Sequence, residues 1–226
     1  MDAQTLLTLL SDGGLTVYPL GIGSVVVLGI LVERMWRFRG IDEQTRGLTR
    51  ETVDALVKRD VEGARRLCEA SNTAISDIYL EAMRWKNIAL EDLERIMATS
   101  RQETVAGLSK RIWVIGTIGS LAPYVGLFGT VIGIIRAFQD MAEHGAGGFD
   151  VVAAGISEAL VATGAGLFVA IIALLFFNIL QVRVGSISKT YARSCERFVQ
   201  ALLYVESSVE TRDNASEVAD GRLVPA

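Results

Sequence analysis

The sequence predicts an all-α membrane protein with three transmembrane helices, of which helices two and three extend into a cytoplasmic helical region. Half of the 226 residues are hydrophobic and the mean hydropathy is +0.38, which is too apolar for an ordinary soluble domain. Charged residues make up 21% of the chain, which is too many for membrane spans alone. Three segments, 15–32, 112–135 and 151–180, are apolar over the length that a bilayer-spanning helix needs.

The first segment is predicted to be a retained span rather than a secretory signal. No Lys or Arg precedes it, no small-residue cleavage pattern ends it, and the basic sequence "ERMWRFR" follows it. Of the 22 Lys and Arg residues, 15 lie between Arg34 and Arg111 and six lie between Arg183 and Arg222. The positive-inside rule therefore places these two regions in the cytoplasm and the amino terminus outside.

These sides divide the chain into seven predicted regions. They are an external N-terminal segment 1–14, transmembrane helix 15–38, a cytoplasmic helical loop 39–111, transmembrane helix 112–139, an external (periplasmic) loop 140–150, transmembrane helix 151–183, and a cytoplasmic helix with an acidic tail 184–226. Cys68 and Cys195 both fall on the reducing cytoplasmic side and lack the spacing of a metal or redox motif.

Apolar residues of the cytoplasmic regions recur at helical spacing. One stripe runs from Val53 to Cys68, and Asn72 and Thr73 then interrupt the pattern. A later stripe begins at Leu90 and meets the second span without a proline, which predicts one helix over 90–138. The apolar period also continues past the third span, so that span is predicted to be part of a long helix.

Small residues are concentrated inside the second and third spans, where they let helix backbones approach each other closely. The candidates for helix packing are Gly126, Gly129, Gly133, Gly155, Ala159, Ala162 and Gly166. Pro123 lacks an amide hydrogen and predicts a mild bend of the second span.

Glu158 is the only charged residue inside the third apolar segment, at a depth of about 10 Å if the span begins near 151. A carboxylate at this depth is costly in lipid, turns toward protein or water, and is a candidate proton-binding group. Thr130 lies at nearly the same predicted depth and Thr163 lies deeper, so their hydroxyls could relay a proton. Alternatively, each threonine hydroxyl bonds a carbonyl of its own helix. Glu158 could instead form a structural hydrogen bond to a neighbouring helix or an ion pair with Arg136. If Arg136 does not pair with Glu158, it is a candidate for the outer mouth of the pore or for a partner contact.

Two runs, "LAPYVGLFGTVIGIIRAF" from Leu121 and "VVAAGISEALVATGAGLFVAI" from Val151, resemble the signature regions of the ExbB/TolQ family. This family comprises the larger inner-membrane subunits of proton-driven bacterial motors, related to flagellar MotA. The resemblance implies a three-helix subunit that assembles as a pentamer around a dimer of a single-span ExbD/TolR-like partner. Its functional positions correspond to Thr130, Glu158 and Thr163 here. Ala154 and Ile172 stand where family members often have proline, which implies a straighter third span.

The predicted function is that of a proton-conducting stator-type subunit that uses the proton-motive force. The alternatives are a structural membrane scaffold without proton conduction and an ion channel that works without a partner. An enzyme is not predicted, because the sequence has no P-loop, no Cys/His nucleophile pair and no metal cluster, and the single histidine, His144, lies in the predicted outer loop. No cofactor and no nucleic acid are expected. The expected partners are further copies of the chain, the ExbD/TolR-like dimer, membrane lipids and, indirectly, a TonB/TolA-like or motility component of the envelope.

Overall fold

The computed structural model describes residues 14–85, 88–144 and 148–219, and these residues form helices and short connections without any strand. The helices are α1 (Gly14–Arg37), α2 (Ile41–Val57), α3 (Val61–Ala70), α4 (Ala74–Arg84), α5 (Leu90–Ser109), α6 (Ile112–His144) and α7 (Gly148–Ala219). The predicted all-α fold class is therefore confirmed.

The chain divides into two compact units. The span unit comprises Met1–Arg37 and Ser109–Val182, and the charged unit comprises Phe38–Leu108 and Arg183–Ala226. Helix α7 contributes its first part to the span unit and its second part to the charged unit.

Three helical stretches are long and apolar enough to cross a membrane, as the sequence predicts. They lie in Tyr18–Val57, Ile112–Ala142 and Val152–Val205, with mean hydropathies of 1.5, 1.8 and 2.6. In the most apolar 18 residues of each stretch, only 22% are buried inside the chain, so most of their side chains point outward. Such surfaces require lipid or other helices around them.

The span unit is held together by small and branched side chains. Leu20 of α1, Ala122 of α6 and Ala170 of α7 are buried together, and Val125, Ala165 and Val169 pack around them. An ion pair between Arg111 and Glu33, with an N–O distance of 3.2 Å, joins the start of α6 to the end of α1.

The charged unit has a core of larger side chains with buried hydroxyls. The rings of Tyr79 on α4 and Phe198 on α7 stack at a centroid distance of 4.2 Å. The hydroxyl of Thr49 donates to the carbonyl of Thr45, 2.6 Å away. Because that proton is already used, the hydroxyl of Tyr79 is the donor in its 2.8 Å bond with Thr49.

Polar contacts also fix the ends of helices in the charged unit. The Asp60 carboxylate accepts a hydrogen bond of 2.7 Å from the Gly63 amide and so caps α3. Arg183 donates to Asp42 at 2.7 Å and to the carbonyl of Phe38 at 3.3 Å. These bonds tie the start of α2 to the second part of α7.

The prediction of one helix over 90–138 is wrong, because α5 ends at Ser109 and α6 begins at Ile112. Arg111 between them has a φ of 71°, a left-handed conformation that ends a regular helix. The apolar stripe does not indicate this break, because Leu108 and Ile112 keep the helical spacing of four residues across it and are both buried. Similarly, Arg59, with a φ of 63°, separates α2 from α3 within the stripe from Val53 to Cys68.

Several predicted boundaries differ from the helix ends. Helix α6 continues to His144 and α7 starts at Gly148, so the predicted outer loop 140–150 is largely helical and residues 145–147 lie outside the described residues. Helix α7 continues to Ala219. Residues 1–13 of the predicted external segment and 220–226 of the predicted tail also lie outside the described residues. Pro123 lies within α6, which is helical throughout.

Candidate functional site

Helices α6 and α7 approach each other along a seam of small residues. A Cβ atom added to Gly133 would lie 2.6 Å from the Cβ of Ala159, and one added to Gly155 would lie 2.5 Å from the Cβ of Ala137. Non-bonded carbon atoms are comfortable at about 3.5 Å or more. The two backbones can therefore lie this close only because these positions are glycine.

The seam continues toward the middle of the span unit. A Cβ on Gly126 would lie 3.0 Å from the Cα of Thr163 and 3.1 Å from the carbonyl oxygen of Ala162. A Cβ on Gly166 would lie 2.7 Å from the carbonyl oxygen of Ala122. Gly129, which the sequence also singled out for packing, is buried.

The seam continues at two further glycines of α6, on the side away from the connection between α6 and α7. A Cβ on Gly119 would meet Leu174 at 3.0 Å and Ala173 at 3.2 Å, and one on Gly116 would meet the ring of Phe177 at 2.9 Å. The sequence carries a signal of this seam, because Gly119, Gly126 and Gly133 recur every seven residues on α6. Residues at that interval lie on one face of a helix.

The seam fixes how the candidate polar residues align along the two antiparallel helices. Since Gly133 faces Ala159 and Gly126 faces Gly166, Thr130 lies level with Ala162 and next to the level of Thr163. Glu158 lies about 6 Å, or one helical turn, farther toward the connection between α6 and α7. The two threonines thus lie at about the same height along the helix axes, and Glu158 lies about one helical turn from that height.

Both threonine hydroxyls donate hydrogen bonds to backbone carbonyls. The Oγ1 of Thr163 donates to the carbonyl of Gly126 on α6 at 2.9 Å, which ties the two helices together at the seam. The Oγ1 of Thr130 donates to the carbonyl of Leu127 in its own helix at 2.7 Å. Each oxygen keeps lone pairs that can accept a further bond.

Glu158 presents its side chain at the surface of the chain. It makes no hydrogen bond or ion pair with any described residue, and the exposed Arg136 likewise has no partner among them. Glu158 and Thr163 are five residues apart, so their side chains leave α7 in directions that differ by about 140°. Thus Thr163 lies at the seam, Thr130 lies next to its level on α6, and Glu158 forms no hydrogen bond with either threonine.

The surroundings of Glu158 are apolar and exposed. Its neighbours Leu160 and Val161 are also exposed, and the span they belong to has a mean hydropathy of 2.6. Carboxylates in such segments face protein or water rather than lipid. This face of α7 is consequently one that other helices or water must cover. No group of His, Cys, Asp and Glu suited to a metal ion occurs among the described residues.

Comparison with known proteins gives the family. A model of the MotA/TolQ/ExbB proton channel family matches residues 69–193, a range that contains Thr130, Glu158 and Thr163. The chain is 34% identical over 173 residues to the putative biopolymer transport protein ExbB-like 1 of Synechocystis, covering 74% of this chain and 67% of that protein. It is 32% identical over 202 residues to the biopolymer transport protein ExbB of Pseudomonas putida, covering 84% of this chain and 59% of that protein.

The Tol-Pal system protein TolQ of Haemophilus influenzae is 38% identical over 108 residues, which cover 48% of this chain and 47% of that protein. The chain thus spans between about half and two thirds of the length of these relatives. The family match covers more than half of the chain and includes two of the three apolar helices. On this evidence the chain belongs to the MotA/TolQ/ExbB proton channel family, whose members are transport or motor subunits rather than enzymes.

Proposed function

We propose that this chain is a proton-conducting stator-type subunit of a motor driven by the proton-motive force. It assembles as a pentamer around a dimer of an ExbD/TolR-like single-span subunit. The complex lies in the bacterial inner membrane, with the amino terminus of this chain in the periplasm and the carboxyl terminus in the cytoplasm. Through a TonB/TolA-like or motility component, it energises transport, envelope maintenance or motility.

The observation that carries the proposal is the position of Glu158. Its carboxylate lies on the most apolar of the three spans, at the protomer surface and without a partner among the described residues. A carboxylate at such a position is stable only when it faces protein or water instead of lipid. An oligomer that encloses a polar or aqueous path next to Glu158 meets this requirement. A pore formed by several copies of α6 and α7 provides such a path.

The small-residue seam has a supporting role in this proposal. It joins α6 and α7 of one protomer through backbone contacts, so that Thr130, Thr163 and Glu158 keep a fixed relative level. In the proposed pore the threonine oxygens, whose protons already bond to carbonyls, accept hydrogen bonds from water or from the passing proton carrier. Arg136, six residues from Thr130 toward the outer side, adds positive charge at the outer mouth or contacts an acidic group of the partner.

The proposed orientation follows from the distribution of basic residues. Apart from Arg136, all Lys and Arg residues lie in the 34–111 and 183–222 regions. Such a bias marks the cytoplasmic side of a membrane protein. Protons entering from the periplasm then move down the membrane potential, and one charge crossing 100 mV releases about 2.3 kcal/mol.

The decisive experiment is a proton-flux measurement on the complex of this chain with a co-expressed ExbD/TolR-like subunit. The complex is reconstituted in liposomes under a potassium-valinomycin potential, and flux is followed with a pH-sensitive dye inside the vesicles. Glu158→Gln removes the ionisable group with little change of volume. We expect proton flux to fall to the level of empty vesicles while the complex still purifies with the same stoichiometry.

Glu196→Gln is the matched control, because it makes the same chemical change at an exposed position of the same helix in the charged unit. It should leave flux unchanged. Undiminished flux in the Glu158→Gln complex would refute the proposed role of Glu158. Absence of flux in the wild-type complex would favour a structural scaffold, and flux from this chain alone would favour a channel that needs no partner.

A further inference from the structure

A small polar cavity lies in the charged unit between α2 and the second part of α7. Its volume is about 300 Å³, and it is lined by Arg46, Thr190, Arg193, Ser194 and Arg197. The four residues from α7 follow the spacing i, i+3, i+4 and i+7, which places them on one face of that helix. Arg46 of α2 supplies the opposite wall.

Three guanidinium groups, those of Arg46, Arg193 and Arg197, line this cavity. None of the three forms an ion pair with any described residue, although Arg193 donates from Nε to the carbonyl of Lys189 at 3.4 Å. The carboxylates nearest along the same helices, Glu43 and Glu196, are also unpaired, and Glu196 lines a different cavity. Three like charges around one cavity repel each other unless a negative charge enters from outside.

The floor of the cavity is built from buried groups. Thr190 and Ser194 are each 5% exposed, so the packing of α7 in the charged unit holds this face in place. The hydroxyl of Thr190 donates to the carbonyl of Ser186 at 3.3 Å, so its proton is already used. Binding strength must therefore come mainly from the arginines, each of which presents a planar fork of N–H donors.

We propose that this cavity binds a phosphate-bearing anion. A phosphate group offers several charged oxygens, and guanidinium groups bind such oxygens in paired, charge-assisted hydrogen bonds. The same chemistry is present in free phosphate and in an anionic phospholipid headgroup. The site is separate from the proton pathway and does not depend on the proposed function.

The test uses the purified full-length chain in nanodiscs and measures its thermal unfolding temperature. In one arm, inorganic phosphate is titrated against chloride at constant ionic strength in phosphatidylcholine nanodiscs. In the other arm, nanodiscs contain increasing fractions of phosphatidylglycerol in a phosphate-free buffer. We expect a saturable rise of the unfolding temperature in at least one arm. A rise with inorganic phosphate identifies free phosphate as a ligand, and a rise only with phosphatidylglycerol identifies the headgroup.

The variant R193Q/R197Q should weaken the response by roughly tenfold or more, since each substitution removes charge-assisted hydrogen bonds. R46Q, on the other wall, is a second variant in case the double substitution fails to fold. R50Q is the matched control, because Arg50 is exposed on α2 one turn from Arg46 and does not line the cavity. The proposal is overturned by an absent response in both arms or by equal responses in wild type and R46Q.

Discussion

The two units of this protein bury different kinds of residue. The three largest fully buried side chains, Tyr79, Tyr191 and Phe198, all lie in the charged unit. In the span unit many aromatic rings point outward, and Tyr124 and Phe168 are 69% and 68% exposed. The closest contacts there, between α6 and α7, are made mostly by glycine and alanine.

The difference follows from the surroundings that each unit is built for. In water, burying large apolar side chains is the main stabilising contribution, so the charged unit places them inside. In lipid, an apolar side chain gains little by moving inward, and helices associate through close backbone packing. One continuous helix, α7, follows both rules in succession. The comparison therefore predicts that truncating a large buried side chain destabilises the charged unit most, whereas enlarging a glycine at the seam destabilises the span unit.

The largest expected effect is that of Phe198→Ala in the charged unit. Phe198 is fully buried and stacks on Tyr79, so its truncation leaves a cavity. Such changes cost about 3–5 kcal/mol of folding free energy. Cys68 and Cys195 are free and buried in this same unit, so faster maleimide labelling of these thiols reports its opening.

Tyr204→Ala is the matched control for this experiment. It removes an aromatic ring from the same helix at a position that is 54% exposed. Labelling should remain slow in this variant. Equal labelling of the two variants would mean that the stacked pair does not anchor the charged unit.

The second prediction concerns the response of the charged unit to high pH. Burial raises the pKa of the Cys195 thiol to about 11, against the opposing effect of the nearby Arg101. The unfolded chain loses this proton near pH 8.5, so between about pH 9 and 11 the folded state holds more protons than the unfolded state. Stability must then fall as pH rises through this window, by about 1.4 kcal/mol per pH unit for one thiol.

This response is measured as the urea midpoint of the charged unit, followed by fluorescence at pH 8, 9 and 10. Cys195→Ser keeps the volume and removes the thiol titration in this range, so its midpoint should fall less steeply with pH. Burial also raises the pKa values of Cys68, Tyr79 and Tyr191, so some alkaline sensitivity remains. Identical slopes in wild type and Cys195→Ser would contradict the prediction.

Much of this fold could be predicted because its signals are long and repetitive. Three apolar stretches and a helical period of apolar residues predict three spans and an all-α fold. Single residues that break a helix are different. Arg59 and Arg111 adopt a left-handed conformation without being glycine, and the apolar stripe continues across both of them. The pattern therefore predicted one continuous helix over 90–138, where the chain has a short break.

The candidate site shows a similar limit. Residue type and span predicted which residues are polar in the membrane, but not which way each one points. The inter-helix bond from Thr163 to Gly126 depends on the register of α6 against α7, which arises from contacts between residues 37 positions apart. The outward direction of Glu158 likewise depends on how α7 packs, which residue type alone does not specify.

The smallest expected effect, and the sharpest test of the comparison, comes from adding one methyl group to the span unit. Gly155→Ala puts a Cβ 2.5 Å from that of Ala137, so the helices must separate, at a cost of about 1–3 kcal/mol. Gly164→Ala adds the same group to the same helix, where no atom other than the neighbouring backbone of that helix lies within 4 Å. The greater helix propensity of alanine should leave stability equal or higher. Unfolding in detergent with increasing SDS, followed by circular dichroism, compares the two variants. Equal stability of the two variants would mean that α6 and α7 tolerate a larger residue at the seam. The seam would then not fix the position of Glu158 relative to Thr130 and Thr163.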